Sequence, residues 1–176
     1  MKIDGTAFRS IWTEANGEVR IIDQRWLPHE LRIVPLRDRA EFAIAIRDMW
    51  VRGAPLIGAT AAWGMAVQMA ADPSDASLNE TWEILHETRP TAINLRWALN
   101  EMRGLLAPLP PKNRAAAAAV RAAEICDEDV DINRRIGQHG LTLIREIAAR
   151  KNGGRVNILT HCNAGWLATV DWGTAT

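Results

Sequence analysis

Gly153-Gly154-Arg155-Val156-Asn157-Ile158-Leu159-Thr160-His161-Cys162-Asn163-Ala164-Gly165 is the stretch from which the fold class is read. A glycine pair leads into a short run rich in Val, Ile and Leu, which predicts a buried strand ending at Cys162. In open α/β sheets ligands gather outside the carboxyl ends of the strands, so this thiol stands where chemistry is expected. The other reading is a structural cysteine, since free Cys is among the most buried residue types. Residues 163–169 predict a helix whose N-terminus faces the same edge. A lone parallel strand cannot satisfy its own backbone groups, and this is the one convincing parallel strand in the sequence. The expected organisation is therefore an N-terminal domain over residues 1–125 and, over 126–176, the start of a second α/β domain that these residues do not complete.

Composition bounds the alternatives. The chain has 176 residues and is 48% hydrophobic, enough for a substantial core and for one domain or slightly more. Its 21 basic and 21 acidic residues cancel, which gives no electrostatic case for nucleic acid or an anionic membrane. Arg134-Arg135 lies on a helical stretch, where a solvated face is the default. Met1-Lys2-Ile3-Asp4-Gly5 has no apolar core and no small-residue cleavage pattern, so no signal peptide is expected. The longest apolar tract, residues 55–71, is interrupted by Gly58, Thr60, Gly64 and Gln68 and predicts a buried helix, not a bilayer span. Two distant cysteines and no secretory signal argue against a disulfide framework and for a reducing cytoplasm. The absence of CxxC or paired-His spacing leaves no metal site to expect.

Along the chain, residues 7–12 and 18–22 flank Asn16-Gly17 and predict a hairpin, and residues 31–36, with an internal proline, predict an edge strand. From Asp38, a candidate N-cap, the period becomes helical, with Phe42, Ile46, Met49 and Trp50 on one face. Val51-Arg52-Gly53-Ala54-Pro55 places Arg52 and Gly53 in a turn before a helix opened by Pro55. Thr88-Arg89-Pro90-Thr91-Ala92-Ile93-Asn94-Leu95 repeats the device, with Pro90 able to start a helix. Two guanidiniums at two helix N-termini make a physical case for an anion, because unpaired N–H groups and the positive dipole end favour phosphate and arginine adds a forked donor. Either arginine alone also reads as a surface or ion-paired residue. Ser77 to Glu80 has capping-box spacing before a helix through Trp82 and Leu85. Leu95, Ala98, Leu99, Met102 and Leu106 continue a helix that residues 107–111 end, with the prolines forming a stiff connector. Residues 113–151 are alanine-rich helix, expected to bend near 127–131 or at Gly137 and Gly140. Trp97, Trp166 and Trp172 are read as packing residues, with a pocket lining as the other option.

Arg52-Gly53-Ala54-Pro55-Leu56-Ile57-Gly58, Arg89-Pro90-Thr91-Ala92-Ile93-Asn94-Leu95 and Ile158-Leu159-Thr160-His161-Cys162-Asn163-Ala164-Gly165, in this order, resemble the methylthioribose-1-phosphate isomerases of methionine salvage, a family related to regulatory subunits of the translation-initiation guanine-nucleotide exchange factor. The resemblance covers the whole chain, as the N-terminal half of a longer pattern. It implies an α/β protein: a small N-terminal α+β domain with a β-hairpin and helices, followed by a Rossmann-like parallel domain. It further implies a cytoplasmic homodimer that needs no cofactor and converts 5-methylthioribose 1-phosphate to 5-methylthioribulose 1-phosphate. Cys162 matches the family's catalytic cysteine, Arg52, Gly53 and Ala54 its first substrate-binding loop, and Arg89 its second substrate arginine. The family's catalytic aspartate has no counterpart within these residues, and Trp166 and Asp171-Trp172 depart from its pattern. Related isomerases acting on ribose 1,5-bisphosphate or a 5-deoxypentose 1-phosphate, and a non-catalytic translation-factor-like subunit, are the alternatives.

The implied reaction needs a proton acceptor and donor shielded from water. Cys162 either takes the C2 proton as a thiolate or stands neutral in an apolar pocket while a hydride moves from C2 to C1. The thiolate route requires nearby cations or helix N-termini to lower an ordinary pKa of ~8.5. His161 points to the opposite face of the expected strand from Cys162 and is read as packing or support. With an unfinished second domain, the 176 residues alone are expected to turn over little substrate and to associate through an open sheet edge.

Overall fold

Asn16-Gly17 turns the chain as its composition demands. Gly17 takes a left-handed φ of 84°, Asn16 accepts from the Glu18 amide, and β3 (Ile11–Thr13) pairs antiparallel with β4 (Val19–Ile22). The computed structural model describes residues 1–175. β5 (Ile33–Leu36) lies on the other side of β4, where Pro35 on an edge strand costs no central ladder bond. A smaller hairpin precedes this sheet: β1 (Lys2–Ile3) pairs with β2 (Thr6–Ala7) through Asp4-Gly5, both at positive φ. Asp-Gly is a strong two-residue turn signal. The one strand expected over residues 7–12 is therefore divided: Ala7 closes the first hairpin and Ile11 opens β3.

Five helices follow. α1 (Arg39–Arg47) starts where Asp38 accepts from the Glu41 amide and buries Phe42 and Ile46. It ends two residues before Met49, which adopts a left-handed φ of 56° and is exposed, so Met49 does not share that apolar face. α2 (Ala54–Ala71) is apolar nearly all round and runs through the centre of the molecule, packed against α1, α3, α4 and α5. α3 (Asp75–Glu87) is capped one turn earlier than its spacing implied: Ser74, not Ser77, holds the amide at the first turn. α4 (Ile93–Leu106) begins three residues after Pro90, which sits in the preceding turn and opens no helix. α5 (Pro111–Arg150) is continuous for 40 residues and passes through 127–131, Gly137 and Gly140 without the expected break. Residues 115–126 and 141–150 on either side are rich in alanine and other good helix formers, and two separate glycines, each costing about 1 kcal/mol relative to alanine, do not outweigh them.

The C-terminal expectation fails in an instructive way. Residues 155–161 form no strand, and Leu159 is 98% exposed. Among the described residues no second strand lies beside them, and an extended run without a partner leaves its N–H and C=O groups to water. Residues 163–169 form no α-helix either, only a 3-10 turn at Trp166–Ala168. No helix among the described residues is long and apolar enough to cross a membrane.

Candidate functional site

The start of α2 is fixed by a loop that only glycine fits. Gly53 has φ 95°, and a Cβ placed on it would lie 2.4 Å from both Cα and O of Ala168. The Arg52-Gly53 loop therefore lies directly against the turn that follows Cys162. That turn is held from several sides. Ser10 Oγ donates to the Trp166 carbonyl at 3.1 Å and Gln24 Nε2 to the Leu167 carbonyl at 2.7 Å. The Ser10 amide donates to the Val170 carbonyl at 2.9 Å, and the Val170 amide donates to Asp129 Oδ2 at 2.7 Å.

α2 and α4 meet at their first turns. A Cβ on Gly58 would stand 3.0 Å from the Asn94 carbonyl oxygen, so glycine permits this close approach. Gly53 and Ala92 precede these two helices, and neither end is closed by a capping side chain, which leaves their first N–H groups available. The middle of α5 completes the wall of a cleft of about 300 Å³, lined by Pro55, Gly58, Asn94, Trp97, Ile125, Glu128, Asp129, Ile132, Asn133, Ile136 and Thr174.

The residues singled out from sequence divide in two. Ala54 is the first residue of α2 and Gly53 its N-cap, so both stand at the mouth of this helix junction. Arg52 is exposed and Nε donates to the Met49 carbonyl at a long 3.4 Å; Arg89 is half-buried in the turn before α4, where its carbonyl accepts from the Ala92 amide at 2.9 Å. Cys162 is an exposed free thiol with φ 66° in the irregular segment. Arg52, Arg89 and Cys162 are not among the described residues lining the cleft. What the fold brings together is the two helix starts and the turn after the cysteine.

Asp129 and Asn133 were not singled out from sequence, although their i, i+4 spacing on a helix was a signal that they share a face. Burial pushes the Asp129 carboxyl above the usual range, against the pull of the Val170 amide and the Asn133 side chain. Asn133 Nδ2 donates to the Asp129 carbonyl at 2.8 Å and to Asp129 Oδ1 at 2.9 Å. Electrostatically the helix starts favour an anion, while the two acidic residues of the cleft are already partnered: Glu128 pairs with Arg121 at 2.6 Å, and the Asp129 oxygens accept from the Val170 amide and Asn133 Nδ2. No group of three or more His, Cys, Asp or Glu residues placed to hold a metal occurs among the described residues.

Residues 50–170 match the Initiation factor 2 subunit family. A methylthioribose-1-phosphate isomerase of Cereibacter sphaeroides (strain KD131 / KCTC 12085) is 89% identical over 176 residues, which is all of this chain and 48% of the relative. Another protein of the same name from Sinorhizobium medicae (strain WSM419) is 65% identical over 178 residues, covering all of this chain and 49% of its own length. Two crystal structures share the fold. The 5-methylthioribose 1-phosphate isomerase of Pyrococcus horikoshii OT3 matches with a TM-score of 0.80 and 37% identity, over 96% of this chain and 47% of that one. The translation initiation factor eIF-2B subunit delta of A. fulgidus matches with a TM-score of 0.77 and 33% identity, over 95% of this chain and 48% of that one. The chain spans about half the length of the curated relatives it matches.

Proposed function

The chain belongs to the Initiation factor 2 subunit family, and on that premise we propose that it is part of an aldose-ketose isomerase that converts 5-methylthioribose 1-phosphate to 5-methylthioribulose 1-phosphate. The single observation that carries this reading is 89% identity, over every residue of the chain, to a protein named for that activity. The mixed fold of helices and small antiparallel sheets, shared with an isomerase at a TM-score of 0.80, supports it.

The roles proposed for individual residues follow from their chemistry. Arg52 and the free N–H groups at Gly53 and Ala54 grip the phosphate, with Arg89 as a second guanidinium. The anomeric phosphate blocks ordinary ring opening, so the ring oxygen must be protonated as the C1–O bond to it breaks. A hydrogen then moves from C2 to C1. Cys162 either accepts the C2 proton as thiolate and returns it at C1 through an enediol, or lines the site while hydride shifts directly; in both routes the C2 hydroxyl gives up its proton as C2 becomes the ketone, which offsets the proton taken by the ring oxygen. Both routes conserve the electron count within the substrate and need no external oxidant. Ordering residues 155–161 as the first strand of a parallel, Rossmann-like layer would carry Cys162 toward the helix starts; the cytoplasm, a homodimer and the domain division at residue 126 belong to the same proposal.

The test joins this chain to the part of the Cereibacter sphaeroides relative that it does not cover. The chimera is expected to convert 5-methylthioribose 1-phosphate, followed by NMR, in preference to ribose 1,5-bisphosphate and 5-deoxyribose 1-phosphate. Cys162→Ser in that chimera should lower kcat by roughly 100-fold or more. A folded chimera that leaves all three sugars untouched, beside an active intact relative, would sink the reading. The likeness to the A. fulgidus factor favours a second reading as a non-catalytic subunit on the same scaffold, which that inert outcome would support.

A further inference from the structure

We propose that Gln24 is a positioning residue for the reaction, a brace that holds the Arg52-Gly53 loop and the turn after Cys162 in one register so that phosphate grip and thiol act on the same sugar. The proposal rests on the sugar-phosphate isomerase reading above and deepens it by naming what fixes the two halves of the site relative to each other.

Gln24 follows β4 by two residues and is 6% exposed. Its backbone amide donates to the Trp50 carbonyl at 2.9 Å, two residues before Arg52, while Nε2 donates to the Leu167 carbonyl at 2.7 Å, five residues after Cys162. Only the NH2 end of a carboxamide can face a carbonyl oxygen, so the orientation of the side chain is fixed. One residue thus bonds to both loops, and the same two loops meet at Gly53 and Ala168. The frame behind Gln24 is tied down in turn. The Ile22 amide donates to the Ser10 carbonyl at 3.1 Å and the Asp23 amide to the Arg32 carbonyl at 2.9 Å. The buried Asp23 carboxylate takes Arg25 in a forked pair, at 2.9 Å to Nε and 2.6 Å to Nη2, and that guanidinium lies 4.3 Å from the centre of the Trp50 ring. Residues 23–25 therefore grip Trp50 through its ring as well as its carbonyl. Ser10 and Asp129 also hold the turn, from the sheet side and from α5, and Gln24 adds the link to the phosphate loop. Its two bonds differ in what a substitution removes. The backbone bond to Trp50 survives any side chain except proline, so changing Gln24 frees the cysteine's turn and leaves the Arg52 loop seated. Grip on the substrate is read in KM and alignment of the reacting groups in kcat, and this residue separates the two.

The experiment places Gln24→Met, which keeps length and volume but cannot donate, in the chimera described above and in the 176-residue chain. A buried hydrogen bond lost elsewhere is the control: Thr81→Val deletes the Oγ donor to the Ser77 carbonyl on α3, outside both loops. The expected result for Gln24→Met is a kcat lower by roughly 10- to 100-fold with KM within about 3-fold of the parent, because displacing a reacting group by about 1 Å costs on that order. Thr81→Val should lower the melting temperature and leave both constants unchanged. In the 176-residue chain, Gln24→Met should quicken hydrogen exchange at the Ala168 and Thr169 amides and leave Trp50 and Val51 as they were. Gln24→Asn, a methylene too short to reach Leu167, should repeat the pattern and stands in if the methionine variant does not fold. The proposal is overturned if kcat is unchanged, if KM rises while kcat holds, if Thr81→Val lowers kcat as much, or if exchange at residues 168–169 is unmoved. An active chimera indifferent to Gln24 removes the brace and leaves the isomerase reading standing. An inert parent chimera removes the isomerase reading; quickened exchange at 168–169 then upholds Gln24 as a link between two loops, and unchanged exchange overturns that as well.

Discussion

The two thiols sit at opposite extremes of environment. Cys126 is buried on α5 and burial pushes it up to about 12, whereas Cys162 is exposed in the irregular segment. Ellman's reagent should therefore titrate one thiol in the native chain and two after unfolding, and peptide mapping should place the native label on residue 162. The same shift has a pH signature. Its folded value lies above that of an ordinary thiol, so the stability contributed by keeping Cys126 neutral is complete below the ordinary thiol value and is lost as pH rises toward 12. Cys126→Ala should flatten that alkaline decline in a chemical-denaturation series. Gly53 carries the second residue-scale prediction. Alanine there combines a left-handed φ with a Cβ inside the Ala168 backbone, so Gly53→Ala should destabilise the chain by about 3 kcal/mol and loosen residues 166–170 in hydrogen exchange. Sequence showed that Gly53 lies in a turn before Pro55. It could not show the reason for glycine, because Ala168 is 115 positions away along the chain and the contact is tertiary.

At the scale of elements, local chemistry was readable and tertiary context was not. Asp38 as cap, Asn16-Gly17 as turn, Pro35 on an edge and α2 as a buried helix all follow from rules that act within a few residues. The connector at 107–111 was read as a stiff spacer, but its shape depends on Arg114. That guanidinium is 3% exposed, donates to the carbonyls of Leu106, Ala107, Leu109 and Pro73, and pairs with Asp75. Nothing in the spacing of residues 107–114 marks it, because its partners come from two separate segments, residues 106–109 and 73–75. In α5 the converse holds: two glycines count for less than the long alanine-rich context on either side of them. Gly140 supplies the test: it is helical, and a Cβ added to it meets nothing within 4 Å. Gly140→Ala should raise stability by about 0.5–1 kcal/mol by removing unfolded-state freedom, read as a higher melting temperature with unchanged helix content. A loss of stability would mean that the helix is not continuous there.

For the molecule as a whole, the decisive feature is an apolar surface that the folded chain leaves open. The last turns of α5 expose Ile136, Leu141 and Leu143, and Ile158, Leu159 and Trp172 lie exposed in the segment beyond it; much of this surface lines a cleft of about 650 Å³. Contiguous apolar surface of this kind drives association, since removing it from water stabilises whatever covers it by roughly 25 cal/mol per Å². The sequence pointed to association as well, but through the edge of a strand at 155–161. No strand forms there, so the exposed side chains, not unpaired backbone, are the expected cause. Sedimentation velocity on the 176-residue chain should show a weight-average mass that rises with concentration. The double substitution Leu143→Glu and Leu159→Lys should return a monomer with an unchanged melting temperature, because neither side chain belongs to the buried core. If the uncovered half of the Cereibacter sphaeroides relative, supplied as a separate polypeptide, seats on this face, it should suppress self-association of the native chain and fail to bind the doubly substituted one. Turnover of 5-methylthioribose 1-phosphate should then appear only in that mixture and be absent from either piece alone, whereas robust turnover by the 176-residue chain would show that Cys162 reaches a complete site without that half.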